Sequence, residues 1–146
     1  MLYRHFLVSW DGVYECRGHI YAVRGNDKDR NVECFDRNSG QWSSIDPLGT
    51  TQMAMTIGVL DGHVWVCGGL GHTPKNSKRS EVMDTMECLC PENNSWHYCP
   101  PLRYPRCFAA MTISLVICAF LVVLFGTRDA PDPKITGFRM PNFTEF

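Results

Sequence analysis

Four cysteines and a histidine crowd one stretch of this chain: Cys88, Cys90, His97, Cys99 and Cys107. Thiolate and imidazole in such number could hold zinc, a soft borderline ion bound tetrahedrally by S and N ligands. The spacing argues against it. Cys88-x-Cys90 is not the usual CxxC pair, and adjacent strand positions point to opposite faces. The reading is ordinary strand cysteines, with no metal and no cofactor. His19 and His63 each stand beside a turn glycine. A histidine repeated in an equivalent place is structural rather than half of a catalytic pair. His5, His72 and His97 are isolated. No Ser/His/Asp order with a nucleophile-elbow context is present, and Gly68-Gly69-Leu70-Gly71 is not followed by a helix signal, so it is no phosphate loop. With no acid–base, nucleophilic or metal set, the chain is not expected to be an enzyme.

The chain's 146 residues suit one domain, and 45% hydrophobic with 20% charged residues suits a folded one. A formal net charge of −1 gives no reason to expect nucleic acid or an anionic membrane surface as partner. Eight cysteines raise a disulfide framework. The apolar stretch of MLYRHFLVSW is too short and interrupted for a signal peptide, and Val66-Cys67 and Ile117-Cys118 lie in strand-like runs. Buried, reduced thiols in a cytoplasmic protein are therefore expected. Asn93-Asn94-Ser95 and Asn142-Phe143-Thr144, two glycosylation-type triplets, keep a secreted alternative open.

What positions these residues is an internal repeat. Gly18-His19-Ile20-Tyr21-Ala22-Val23-Arg24-Gly25 aligns with Gly62-His63-Val64-Trp65-Val66-Cys67-Gly68-Gly69 at an offset of 44. Glu33-Cys34-Phe35 aligns with Glu87-Cys88-Leu89 at an offset of 54, as do Trp42 with Trp96 and Pro47-Leu48 with Pro101-Leu102. One ten-residue insertion within LGHTPKNSKRSEVMD absorbs the difference. Its polar, Gly- and Pro-bearing composition reads as a loop. A third start is expected where Ala54-Met55-Thr56-Ile57 recurs as Ala110-Met111-Thr112-Ile113, at an offset of 56. Asp61-Gly62 between apolar runs is a hairpin signal, since both turn residues tolerate positive φ. The coarse reading is four short strands per unit and no helix before residue 107.

These units resemble kelch repeats, and the kelch-like proteins in particular. GHIYAVRG, NVECFD and QWSSIDPL carry the pattern in the first unit, DGHVWVCGG, MECLCP and SWHYCPPL in the second. The structural positions of the pattern are Gly25, Trp42, Gly68, Gly69 and Trp96. Arg24-Gly25 and Gly126-Thr127 depart from the glycine doublet, and Leu89-Cys90 departs from the Tyr-Asp strand end. The resemblance implies an all-β fold: a partial kelch β-propeller of two complete four-stranded blades plus flanking pieces. Residues 1–17 would end a preceding blade, 18–53 and 54–106 would be kelch repeats, and 128–146 a flexible tail. Closed propellers have ~4–8 blades, so the chain alone is expected to be marginally stable or to take further blades from elsewhere.

Residues 107–127, CFAAMTISLVICAFLVVLFGT, hold no charge over 21 positions between Arg106 and Arg128. That run reads as the strands of a third blade, with a transmembrane helix as the alternative.

By resemblance, partners bind loops at one end of the propeller. Those loops hold Asn26, Asp27, Lys28, Asp29 and Arg30; His72, Lys75, Lys78 and Arg79; Gly49 to Gln52; and Arg103, Tyr104 and Arg106. Arg and Tyr are typical interface anchors. The implied function is protein binding, as the substrate-recognition part of a BTB-kelch ubiquitin-ligase adaptor or as an actin-binding kelch protein. The 146 residues include no BTB or BACK segment. The alternative is a membrane-anchored kelch protein spanning at 107–127. Some kelch-type propellers belong to oxidases, but no residue set here supports that chemistry.

Overall fold

The computed structural model describes residues 12–24, 30–50, 52–73, 76–114 and 119–124. The calls on 1–11 and 128–146, and on residues 115–118 and 125–127 of the 107–127 run, lie outside those residues.

The first four strands are β1 (Gly12–Cys16), β2 (His19–Val23), β3 (Val32–Asp36) and β4 (Gln41–Ile45), in one antiparallel sheet of order β1-β2-β3-β4. Short runs rich in Val, Ile, Tyr and Phe, punctuated by Arg17-Gly18 and Asn38-Ser39-Gly40, favour this meander. Arg17 and Gly18 take φ of 51° and 82°, the two-residue turn whose twist matches the strands. Asp36 closes the β3–β4 turn, its carboxylate accepting from the Asn38 amide and the Ser39 hydroxyl at 2.9 Å each. Those bonds hold its pKa below the ordinary carboxylate value.

β5 (Gln52–Met53), β6 (Thr56–Leu60), β7 (His63–Cys67), β8 (Leu70–Thr73), β9 (Asn76–Val82), β10 (Met86–Cys90) and β11 (Ser95–Tyr98) follow. Four of them form a second sheet, β11-β10-β7-β6. Its register repeats the first residue for residue. Tyr21 faces Cys34 and Cys34 faces Ser43; Trp65 faces Cys88 and Cys88 faces His97. Phe35 opposite Trp42 becomes Leu89 opposite Trp96. Asp61-Gly62, with φ of 49° and 70°, repeats Arg17-Gly18. The repeated histidines repeat their role: Nδ1 of His19 lies 3.3 Å from the Arg17 carbonyl, and Nδ1 of His63 lies 2.8 Å from that of Asp61.

The insertion is not a loop. It forms β8 and β9, an antiparallel hairpin that pairs with β5 as a third sheet of order β5-β8-β9. Its polar composition hid the strands, since Asn76–Val82 carries no alternating apolar pattern.

β12 (Ala109–Ser114) and β13 (Ala119–Leu124) pair antiparallel. The apolar run is thus a strand pair over the described residues, and among those residues no helix is long and apolar enough to cross a membrane. The third unit starts earlier than the AMTI alignment implies. Ala54 and Phe108, with φ of 51° and 52°, mark the same step into the inner strand and are 54 residues apart.

The core lies between sheets. One face of the first sheet (Cys16, Tyr21, Val23, Val32, Cys34) packs on the face of the second that carries Ile57, Val64, Val66 and Leu89. The opposite face of the second (Trp65, Cys67, Met86, Cys88) receives Ala109 and Met111 of β12. Each sheet thus offers one face forward and the other back, which is radial stacking of wedges.

Candidate partner-binding edge

Strand directions bring the described parts of four connections to one edge of the stack: Arg24 with Arg30 and Asn31, and 46–50 with 52–55, from the first sheet; 68–73 with 76–85, and 99–108, from the second. The tight turns 17–18, 37–40, 61–62 and 91–94 occupy the other.

Close backbone approach builds this edge. A β-carbon on Gly68 would meet the Arg106 carbonyl oxygen at 2.3 Å, and one on Gly69 would meet that of Met53 at 2.7 Å. Both glycines have positive φ, 63° and 110°. No other residue combines that conformation with that space. Through the gap, the Gly69 amide donates to the Arg106 carbonyl at 2.6 Å and the Arg106 amide to that of Met83 at 2.9 Å. The doublet therefore clamps the connector between the second sheet and β12.

Glu87 secures the connector between the first two sheets. It is 1% exposed. Its carboxyl oxygens accept from the Gly49 amide at 2.7 Å, the Thr50 amide at 3.1 Å and the Thr50 hydroxyl at 2.5 Å. Trp96 adds a bond from Nε1 to the Asp46 carbonyl at 2.9 Å, across the same junction. Sequence reasoning missed Glu87 as a structural residue. Its signal was present in the Glu33/Glu87 match, which was read only as alignment.

The residues expected at the partner surface divide. Arg103 and Tyr104 are exposed, with the Arg103 guanidinium 5.6 Å from the Tyr104 ring centre, within cation–π range. Arg30 is exposed and donates to the Gly49 carbonyl at 3.0 Å. His72 is half-buried on β8, and Lys78 and Arg79 fall on β9. Arg106 is a correction. It is 6% exposed, because its backbone is drawn into the glycine clamp and its side chain follows, packed 6.0 Å from Tyr104. Gln52 is likewise buried, 1% exposed, and accepts from the Thr85 hydroxyl at 2.9 Å. The two occupy equivalent places 54 residues apart, each leading into an inner strand. Gly25, Asn26, Asp27, Lys28, Asp29 and Lys75 lie outside the described residues. Among the described residues no three His, Cys, Asp or Glu side chains are grouped to hold a metal ion.

The kelch-motif family model matches residues 54–103, the span from the step into β6 through the connector after β11. This chain contains a kelch motif. Similar curated proteins include beta-scruin of Limulus polyphemus, 29% identical over 97 residues, covering 64% of this chain and 11% of scruin. Kelch-like protein 40 of Xenopus tropicalis is 28% identical over 146 residues, covering 92% of this chain and 22% of its own length. The chain thus spans 11% and 22% of the length of these relatives. The solved structure of YjhT superposes with a TM-score of 0.67 at 14% identity, covering 79% of this chain and 33% of that one. At that identity the likeness concerns the fold: two blades and a strand pair of a third, as part of a β-propeller.

Proposed function

We propose that this kelch chain binds a protein partner on the edge that carries Arg30, Arg103, Tyr104 and the β8–β9 hairpin, and that it works by recognition rather than catalysis. The observation that carries the reading is the exposed Arg103–Tyr104 pair. Tyr104 is 49% exposed and stacked with a guanidinium, on a connector whose backbone is clamped by Gly68 and Gly69. A large aromatic held on a rigid support offers contact area at low entropic cost, which is what an interface anchor needs. The resemblance to kelch-like proteins and the similarity to scruin support two partner classes in the cytoplasm, a ubiquitination substrate or actin.

Peptide-display selection on the wild-type chain, followed by binding to an Arg103→Ala/Tyr104→Ala variant, tests the edge. Selected ligands are expected to bind the variant at least about tenfold more weakly, the loss typical of one anchor. Ligands that bind both equally overturn the assignment. Co-sedimentation with purified actin filaments separates the partner classes: a chain left in the supernatant removes actin.

A further inference from the structure

The two blades treat the same face differently. On the first blade Ile20 stands opposite Phe35, and Phe35 opposite Trp42, so the three share one side of the sheet. Val13 joins that side, because it stands opposite Ala22, two residues along from Ile20. Val13 is 42% exposed, and the other three are half-buried. None of the four belongs to either core. The counterparts of Val13, Ile20 and Phe35 on the second blade are Ile57, Val64 and Leu89, which are 8%, 0% and 0% exposed. What seals them is the opposite side of the first blade, with Tyr21, Val23 and Cys34.

Two polar groups repeat the contrast. Glu87 of the second blade accepts from the Gly49 and Thr50 amides, and Trp96 donates to the Asp46 carbonyl, all on the connector of the blade in front. Glu33 and Trp42 hold the same two positions on the first blade. Glu33 is half-buried, and neither its carboxylate nor the Trp42 indole has such a partner among the described residues. The open side is thus an apolar centre with one waiting acceptor and one waiting donor. A fitting occupant brings an apolar sheet side flanked by backbone amides and a carbonyl, which is the hind side of a blade and its connector.

We propose that a second copy of this chain docks on the open side of the first blade, its β12–β13 wedge packing there as the first sheet packs on the second. The chain already makes this kind of joint twice, between its two four-stranded sheets and between the second sheet and Ala109 and Met111 of β12. The two sides of the joint are unlike, so copies associate head to tail. The likeness to YjhT spans 33% of that chain, so the propeller fold has room for further copies.

The test is the mass of the 146-residue chain by sedimentation equilibrium, from about 1 μM to about 200 μM. The mean mass is expected to rise with concentration above that of one copy. Val13→Lys places a charge at an exposed position on the open side and should weaken association at least about tenfold. Glu33→Ala keeps the apolar centre, removes the acceptor and should weaken it as well. Val82→Lys, at a position 38% exposed on β9, should leave it unchanged. Circular dichroism on each variant separates lost association from lost folding. Mixing tagged Val13→Lys with untagged wild type reads the symmetry. Head to tail, the variant keeps its β12–β13 wedge and is still captured by the open side of a wild-type copy. The Arg103→Ala/Tyr104→Ala variant should associate like the wild type, so this joint and the partner-binding edge stand or fall separately. A wild-type chain with the mass of one copy at about 200 μM overturns the proposal and leaves the open side to residues 1–11 or to another blade. Loss of capture in the mixing experiment, the mark of two open sides meeting each other, overturns it too.

Discussion

Thr50 reaches the buried Glu87 twice, with its amide at 3.1 Å and its hydroxyl at 2.5 Å, across the junction of the two blades. A strand residue of one blade thereby fixes the exit turn of the one before it. Buried donors left without an acceptor are costly, so the junction depends on this side chain. Glu87→Ala is expected to lower unfolding free energy by about 3 kcal/mol, read from the urea midpoint. Glu87→Gln keeps one acceptor oxygen and should lose about half of that.

Two glycines with close neighbours should respond differently to an added methyl group. At Gly68 the methyl meets the backbone oxygen of Arg106 in a left-handed conformation. Gly68→Ala is expected to cost about 2 kcal/mol or more. At Gly58 it meets the sulfur of Met111, the end of a flexible side chain, at 2.5 Å. Gly58→Ala should cost less than about 1 kcal/mol in the same denaturation experiment.

Trp42 and Trp96 share a register but not a partner. Trp96 donates to the Asp46 carbonyl of the neighbouring blade, whereas Trp42 packs on Phe35 with ring centres 5.2 Å apart. Trp96→Phe is expected to lose about 1 kcal/mol. Trp42→Phe keeps the aromatic pair and should stay within about 0.5 kcal/mol by thermal or urea unfolding.

Cys67 sets part of the alkaline limit of stability. Burial raises its pKa from 9.0 to about 12 in the folded chain. A group with a raised folded-state pKa contributes fully below its unfolded value, and the contribution is lost as pH rises through the folded one. Melting temperature should therefore fall as pH rises from about 9 towards about 12. Cys67→Ala should make that decline shallower. A decline of unchanged slope would remove Cys67 from the explanation.

The blades were legible because their signals are local and repeated. Asp61-Gly62 defines a turn by its own chemistry, and Trp42 and Trp96 lock two strands to one offset. The β8–β9 hairpin was not legible, since Asn76–Val82 carries no apolar alternation to announce a strand. The third start was misplaced by two residues because AMTI resembles AAMTI by composition, while the step into the strand is set by the left-handed Ala54 and Phe108. At the edge, exposure could not be inferred from residue type. Arg103 and Arg106 are both arginines on one connector, and only the backbone clamp at the glycine doublet decides which of them is withdrawn.

The front-to-back packing of the sheets has a geometric corollary. Val13, Ile20, Phe35 and Trp42 stand on the first blade where Ile57, Val64, Leu89 and Trp96 stand on the second, and the second set is covered by a neighbour. A contact whose two sides differ can be repeated without limit in one rotational sense. Such an array ends only when the accumulated rotation returns the last wedge to the first, so circular closure, not any individual joint, sets how many wedges the ring contains.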